Sequence, residues 1–199
     1  MNDVRAMLSP QERDLLRSLP EKFQAESILE IGVFVGGSTS YFAQGMDAGE
    51  IVCVDTFCFY RTIEDQPYQL QRWIENTNGW QKEKPNIRTI PLVGSVTTPA
   101  IRYFLEDRVC SFDIAFIDGA HDATSVLVDL SCILPAVRRG GGVVVHDHTE
   151  EYGVPFACSI FESAGLIEPV SKTDSVVVYH RTDKPWDDHV GAFVRGHFS

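Results

Sequence analysis

Short runs of apolar residues, many of them β-branched, alternate with amphipathic stretches along most of the 199-residue chain. This alternation is typical of βαβ units built around a mainly parallel sheet. The runs are apolar almost throughout, as expected of strands that helices cover on both faces. They predict five strands and a closing antiparallel hairpin: strands at residues 27–33, 50–55, 87–93, 112–117 and 142–146, and the hairpin at 167–170 and 175–179.

Helices are predicted between the strands, where a start or stop signal accompanies an amphipathic stretch. Asn78 and Gly79 are expected to stop one helix, and Arg138, Arg139 and the glycines at 140–142 to close another. The predicted helices lie at residues 10–19, 38–44, 67–76, 98–105, 123–134 and 154–164. The pattern therefore predicts one α/β domain over residues 1–199, with a doubly wound, mainly parallel seven-stranded sheet that ends in a C-terminal antiparallel hairpin.

Two segments stand apart from this pattern. Residues 1–26 are predicted to be an N-terminal helical segment, which packs on the outside of the domain or forms part of a lid. Residues 56–85 are expected to be the longest irregular region, and they are rich in aromatic side chains. These aromatics indicate either a small satellite core under a long loop or a lid that faces the substrate.

The charge of the chain narrows the range of partners. Lys and Arg number 17 against 28 Asp and Glu, a net charge of −11, so a phosphate backbone would be repelled and nucleic acid is not expected to bind. The five cysteines include no CxxC pair, which is typical of reduced residues in a cytoplasmic protein. We expect no signal peptide and no membrane span. An N-terminal helix and exposed aromatics would suit a homodimer.

The first predicted strand runs into a glycine-bearing turn, EIGVFVGGST at residues 30–39. Such a turn before a helix exposes backbone N–H groups and the positive end of the helix dipole to an anionic ligand group. Asp55 ends the second predicted strand at about the spacing at which nucleotide-binding folds place an acid for ribose hydroxyls. The glycines do not follow the pattern G-x-G-x-x-G, which makes a nicotinamide dinucleotide the weaker expectation.

From about residue 27 to 179 the chain resembles the class I S-adenosylmethionine-dependent methyltransferases. LEIGVFVGGST is similar to their first cofactor motif, and CVDTF is similar to the acidic end of their second strand. The resemblance implies that residues 32–38 surround the methionine part of S-adenosylmethionine, that Asp55 holds the ribose hydroxyls, and that Gly94 and Ser95 border the adenine. The cofactor-binding residues that it implies are Glu30, Gly32, Val33, Phe34, Gly36, Ser38, Asp55, Thr56, Gly94, Ser95 and Asp118.

Polar residues also follow the fourth and fifth predicted strands, in IDGAH and VHDH. Ligands bind at the carboxyl ends of strands in open α/β sheets, so Asp118, Asp147 and His148 are expected to converge. In these segments the chain is similar to the divalent-metal-dependent O-methyltransferases that act on catechols and macrolide sugars. The resemblance implies Asp118, Asp147 and His148 as metal ligands, and His121 as general base with Asp118 as its catalytic partner.

The departure from the family pattern is His148, which stands where the family has an acid or an asparagine beside the aspartate. Imidazole suits softer ions better than Mg²⁺, which leaves three possibilities open. A transition ion binds at the site, His148 stays outside the ligand set, or no metal binds. Simpler roles are expected of two neighbours: Asp122 caps the following helix, and His146 is a hydrogen-bonded strand-end side chain.

The function expected from these observations is transfer of a methyl group from S-adenosylmethionine to a hydroxyl of a small molecule, with specialised metabolism as the expected setting. A divalent ion, Mg²⁺ or a transition ion, would bind vicinal oxygens of the acceptor, and His121 would take the proton. Two alternatives stay open: a metal-independent N- or C-methyltransferase on the same fold, and a cofactor-binding module without catalysis.

Overall fold

A sheet of seven strands forms the centre of the computed structural model, which describes residues 7–58 and 66–186. The strands are β1 (Ser27–Ile31), β2 (Gly49–Asp55), β3 (Ile87–Val93), β4 (Phe112–Ile117), β5 (Val137–Val145), β6 (Ile167–Thr173) and β7 (Val176–Arg181). Their order across the sheet is β3-β2-β1-β4-β5-β7-β6. The first five strands pair in parallel, whereas β7 runs antiparallel to both β5 and β6. The predicted fold class and the closing hairpin are therefore confirmed.

Helices cover both faces of this sheet. They are α1 (Pro10–Phe23), α2 (Gly37–Gly45), α3 (Gln66–Gln81), α4 (Pro99–Glu106), α5 (Ala123–Ile133) and α6 (Val154–Ser163). Alternate residues of each strand point to opposite faces: Leu29 and Ile31 of β1 pack with α4, α5 and α6, whereas Ile28 packs with α1, α2 and α3. The sheet therefore has an apolar core on each side, which explains why its strands are apolar almost throughout.

Strand β5 begins earlier than the sequence pattern indicates. The prediction that Arg138, Arg139 and the following glycines close helix α5 is wrong, because α5 ends at Ile133 and β5 starts at Val137. Arg138 Nε donates to Asp113 Oδ1 at 2.6 Å, and its Nη2 donates to the Phe23 carbonyl at 2.7 Å. These long-range bonds hold the backbone at Arg138 in an extended conformation. The register between β4 and β5 shifts between Phe112 and Ile114 of β4, next to this arginine.

Helix α3 is longer than predicted and replaces much of the irregular region expected at residues 56–85. It passes through Asn78 and Gly79, where the sequence pattern places a stop. Trp73 and Trp80 lie seven residues apart on one face, and each is only 3% exposed. Burial of two indoles outweighs the cost of about 1 kcal/mol for one glycine in a helix. Residues 59–65, on which part of the predicted lid falls, lie outside the described residues.

A buried carboxylate helps to fix helix α1 to the last hairpin. Ser9 and Glu12 form a reciprocal capping box, in which the Ser9 N–H donates to Glu12 Oε2 at 2.8 Å. The other oxygen of Glu12 accepts from the Ser175 N–H at 3.0 Å and from its hydroxyl at 2.7 Å. The N-terminal helical segment therefore reaches the turn between β6 and β7, close to the carboxyl ends of the central strands.

No helix within the described ranges is long and apolar enough to cross a membrane.

Candidate active site

The glycine turn after β1 lies directly beside Asp55 at the end of β2. Oδ2 of Asp55 accepts hydrogen bonds from the N–H groups of Val33 at 2.7 Å and Phe34 at 2.8 Å. Its Oδ1 accepts from the Phe57 N–H at 2.6 Å. A carboxylate has about four lone-pair sites, so Asp55 can still accept further donors such as hydroxyl groups.

Gly32 lets the ends of β1 and β4 meet. Its φ is +83°, and a Cβ at this position would lie 2.2 Å from the Asp118 carbonyl oxygen. The Asp118 N–H donates to the Ile31 carbonyl at 2.8 Å, which extends the pairing of the two strands. Any side chain at residue 32 would push these strand ends apart, so Gly32 sets the distance between the glycine turn and Asp118.

Helix α2 starts at the end of the turn without a side-chain cap. Its N-cap residue is Gly36, in the left-handed conformation. The hydroxyls of Ser38 and Thr39 are engaged below the turn, where they donate to the fully buried Glu30. Burial raises the pKa of Glu30 to about 8, so this side chain is protonated near neutral pH. The positive end of α2 therefore remains uncompensated by an anionic side chain of the turn.

The end of β3 lies on the other side of Asp55. The Gly94 N–H donates to the Asp55 carbonyl at 2.8 Å, and Ser95 beside it is exposed. Thr56 is exposed as well, and its carbonyl accepts from Gln66 Nε2 at 2.8 Å. The residues predicted to bind the cofactor thus lie together, at one edge of the sheet.

Asp118, His121 and Asp147 form a second group of polar side chains at this edge. One ligand atom of each lies within 4.8 Å of the others, close enough to share a metal ion. His121 Nε2 is 3.0 Å from Asp147 Oδ2. Asp147 is the second residue after the end of β5 and has a left-handed φ of 54°. The convergence of the two carboxylates follows from the pairing of β4 with β5, as the sequence analysis expects.

His146 lies between the two carboxylates and is only 7% exposed. Its Nδ1 is 2.8 Å from Asp118 Oδ1 and 3.1 Å from Asp147 Oδ2. Burial opposes protonation of this ring, but the hydrogen bonds to Asp118 and Asp147 raise the pKa of His146 to about 10. Its Nε2 lies 3.7 Å from Glu12 Oε2 of helix α1. His146 is therefore more than a hydrogen-bonded strand-end residue, since it links both carboxylates to the N-terminal helix.

The carboxylates of the group have opposite pKa shifts. Burial raises the pKa of Asp118 above its ordinary value. Burial also opposes ionisation of Asp147, but the hydrogen bonds from His121 and His146 hold its pKa well below that value. Asp147 therefore carries a negative charge at any physiological pH, which a nearby cation would balance.

His121 is the most open member of the group, with a side chain that is 37% exposed. Its hydrogen bond with Asp147 raises the pKa of the imidazole. The ring meets Tyr152 edge-on, with 5.0 Å between the ring centres. The N–H of Gly153, the residue after Tyr152, donates to the His121 carbonyl. Asp122 caps α5 by accepting from the Ser125 N–H at 3.0 Å, as predicted. An exposed imidazole beside two carboxylates can accept a proton from a hydroxyl group bound next to it.

His148 lies outside this group, contrary to its predicted place as a metal ligand. Its N–H donates to the Ser175 carbonyl at 2.8 Å, and its Nε2 is 3.2 Å from the Tyr179 hydroxyl. The left-handed backbone at Asp147 and the bond to Ser175 turn the His148 ring towards β7. The ligand set that the described residues offer therefore contains His121 in its place.

The sequence analysis missed three contributors to the site. Glu12 shows as a helix-capping residue in the sequence, but nothing in the pattern connects it with His146. Trp73 and Asn76 of α3 lie against the glycine turn: Asn76 Nδ2 donates to the Val35 carbonyl at 2.8 Å. A signal for this contact exists in the aromatic density of residues 56–85, but its partner could not be deduced from the sequence alone.

Comparisons with known proteins place the chain in a protein family. The model of a family described as a methyltransferase domain matches residues 29–148, which is more than half of the chain. The uncharacterised protein R132 of Acanthamoeba polyphaga mimivirus is 28% identical over 138 residues, which are 68% of this chain and 58% of the viral protein. The chain thus spans little more than half the length of this relative.

Solved structures share the same fold. An O-methyltransferase from Bacillus cereus, crystallised with SAH, has a TM-score of 0.64 at 16% identity, over 91% of this chain and 85% of its own. The O-methyltransferase TomG from Streptomyces achromogenes is involved in tomaymycin synthesis and was crystallised with SAM. It has a TM-score of 0.60 at 19% identity, over 88% of this chain and 81% of its own. With the family model over residues 29–148 and this sheet topology, the chain belongs to the methyltransferase-domain family, as the resemblance of its motifs predicts.

Proposed function

We propose that this protein transfers the methyl group of S-adenosylmethionine to a hydroxyl group of a small molecule. The observation that carries the proposal is the direct contact between two half-sites. The glycine turn and Asp55 form one half, and Asp118, His121 and Asp147 form the other. Gly32 packs against the Asp118 carbonyl and joins them. A cofactor held by the first half would therefore lie next to an acceptor held by the second.

The first half-site has the chemistry that an adenosyl cofactor requires. Asp55 retains acceptor capacity for ribose hydroxyls, and Gly94 and Ser95 border the same space for the adenine. The uncapped N-terminus of α2 favours a negatively charged group. When bound, S-adenosylmethionine supplies the electrophilic methyl group. The complexes of the B. cereus enzyme with SAH and of TomG with SAM support this choice of cofactor.

The second half-site fits a divalent ion. Two ligands at about 2.1 Å from one small ion lie at most roughly 4.2 Å apart, and the atoms of the group, which are within 4.8 Å of one another, would reach that separation with a small side-chain movement. We assign Asp118 and Asp147 as the residues that would hold the ion, which lowers the pKa of a bound hydroxyl. His121 is assigned as general base because its side chain is the most exposed of the three.

An aromatic side chain beside His121 indicates the kind of acceptor. Tyr152, which meets the His121 ring, is 42% exposed. Exposed aromatic rings at a site are typical of contacts with a flat, apolar part of a ligand. We therefore propose a compact acceptor that carries adjacent hydroxyl groups on a ring. The net charge of −11 favours a neutral or cationic acceptor over an anionic one.

Calorimetry with S-adenosylhomocysteine tests the cofactor assignment. We expect the folded protein to bind it with a dissociation constant in the micromolar range, as is common for enzyme ligands. Asp55→Ala should weaken binding at least tenfold, whereas Glu75→Ala, an exposed change on α3, should leave it within twofold. No binding to the wild-type protein would refute the proposed function. Binding without turnover on a panel of hydroxylated compounds would favour the non-catalytic module instead.

Chelation tests the metal assignment. We expect turnover to fall at least tenfold after thorough treatment with a chelator and to return when Mg²⁺ or Mn²⁺ is added. Asp147→Asn should weaken binding of Mn²⁺ to the same protein, and Asp122→Asn, which changes only the cap of α5, should not. Turnover that is unchanged by chelation would contradict the metal assignment and favour a metal-independent N- or C-methyltransferase.

A further inference from the structure

Trp73 of helix α3 carries a buried hydrogen-bond donor without a protein partner. The residue is 3% exposed, and its indole Nε1 makes no hydrogen bond among the described residues. A buried tryptophan N–H normally finds an acceptor, because an unpaired buried donor costs free energy. A donor that the protein leaves unpaired is therefore available to an acceptor on a ligand.

This donor is held against the start of helix α2. A Cβ built on Gly36, the N-cap residue, would lie 3.1 Å from Trp73 Cδ1 and 3.4 Å from Nε1. The N–H edge of the indole therefore faces Gly36. Phe57 packs edge-on against the same indole, with 6.0 Å between the ring centres, and Asn76 ties α3 to the Val35 carbonyl. These contacts fix the indole at the glycine turn.

The electrostatics of this point favour an anion. The N-terminus of α2 has no side-chain cap, so its first N–H groups and the positive end of its dipole lie uncapped beside Gly36, against which the N–H edge of the indole packs. Glu30 is the acidic side chain beneath the turn, and its burial keeps it protonated near neutral pH. A ligand carboxylate would therefore meet donors on two sides without repulsion from Glu30.

We propose that the Trp73 indole N–H donates a hydrogen bond to the carboxylate of the methionine part of the cofactor, at the N-terminus of α2. This inference rests on the proposed function and adds a binding residue to it. The ammonium group of the cofactor has only donors to offer, and its ribose hydroxyls are assigned to Asp55. The carboxylate is the cofactor group that is both a hydrogen-bond acceptor and an anion, so it matches both the indole N–H and the positive end of α2.

Two ligands and two matched variants test the assignment. S-adenosylhomocysteine carries the carboxylate, whereas 5′-deoxy-5′-methylthioadenosine keeps the adenosine and lacks the amino acid part. Trp73→Phe removes the N–H and keeps an aromatic ring. Trp80→Phe is the control, because Trp80 is equally buried on the same helix and also carries an unpaired N–H. We expect Trp73→Phe to weaken S-adenosylhomocysteine about tenfold, as for one hydrogen bond to a charged group, and to leave methylthioadenosine within twofold.

The control variant should bind both ligands as the wild-type protein does. Equal affinity of Trp73→Phe and Trp80→Phe for S-adenosylhomocysteine would overturn the inference. An equal loss for both ligands would also overturn it, since the indole would then act only on packing. These outcomes leave the proposed function intact, whereas failure of the wild-type protein to bind either ligand would refute the proposed function itself.

Nuclear magnetic resonance of the indole N–H groups provides a readout on the unmodified protein. The chain has three tryptophans, so three such signals are expected. S-adenosylhomocysteine should move the Trp73 signal downfield, and methylthioadenosine should move it much less. The Trp80 signal should respond to neither ligand. A Trp73 signal that responds in the same way to both ligands would contradict a bond to the carboxylate.

Discussion

At the scale of single residues, the open question is whether His121 acts as a general base or as a metal ligand. The imidazole touches Asp147 at 3.0 Å and is partly open to solvent, so either role is geometrically available. We predict that His121→Gln lowers the turnover number by about 10²- to 10⁴-fold, the usual contribution of a general base. Binding of S-adenosylhomocysteine and of Mn²⁺ should change by less than threefold. Steady-state kinetics and calorimetry measure the two effects separately.

Ser125→Ala supplies a control for that substitution, because Ser125 lies on the same segment and bonds only to Asp122. It should leave turnover within threefold. A His121→Gln variant that lost Mn²⁺ affinity and turnover together would show that His121 is a metal ligand. Unchanged turnover would show that it has neither role.

The residues of the site were predictable to different degrees. The placement of Asp55, Asp118 and Asp147 at one edge follows from strand order, which the apolar runs predict well. The position of His146 depends on the left-handed backbone at Asp147 and on Glu12 of a distant helix, and neither leaves a local signal in the sequence. His148 lies apart from the carboxylates, where its backbone N–H donates to Ser175 and its ring meets the Tyr179 hydroxyl, and the sequence gives no local signal for either contact.

At the scale of elements, Glu12 holds α1 to the rest of the molecule. Its carboxylate accepts from Ser9 and twice from Ser175, and it is 3% exposed. We predict that Glu12→Ala lowers the free energy of unfolding by about 2–4 kcal/mol, because it leaves buried donors unpaired. Glu21→Ala, an exposed change on the same helix, should cost less than about 0.5 kcal/mol. Urea unfolding of the three proteins gives both values, and equal midpoints for the two variants would contradict the prediction.

The elements themselves were predicted best where local pattern and packing agree. The bounds of β3 and β4 match the prediction, since each is a mostly apolar run between polar segments. The pattern failed where a distant partner decides the conformation. Arg138 reads as the cationic end of a helix but extends β5 through its bond to Asp113. Gly79 reads as a helix stop, but the burial of Trp80 beside it carries α3 onward.

At the scale of the whole molecule, the buried Glu30 makes stability depend on pH. Burial raises its pKa from 4.5 to about 8, so the folded protein holds this proton more tightly than the unfolded chain does. Such a group stabilises the fold fully below about pH 4.5, and its contribution is lost as the pH rises towards 8. The loss is at most about 1.4 kcal/mol for each pH unit in this window.

We therefore predict that the free energy of unfolding of the wild-type protein falls between pH 6 and pH 8 relative to that of Glu30→Gln. Glutamine keeps the shape and one acceptor for Ser38 or Thr39 but cannot ionise. Guanidinium unfolding of both proteins at pH steps across this window measures the difference. Parallel curves for the two proteins would show that Glu30 does not titrate there.

The bond between Glu12 and Ser175 also constrains the order in which the chain can be completed during synthesis. Its two partners are 163 residues apart, so the ribosome makes helix α1 well before the residue that secures it. Until Ser175 emerges, the Glu12 carboxylate has no partner in the last hairpin. A nascent chain stopped before residue 175 should accordingly show rapid amide hydrogen exchange in α1.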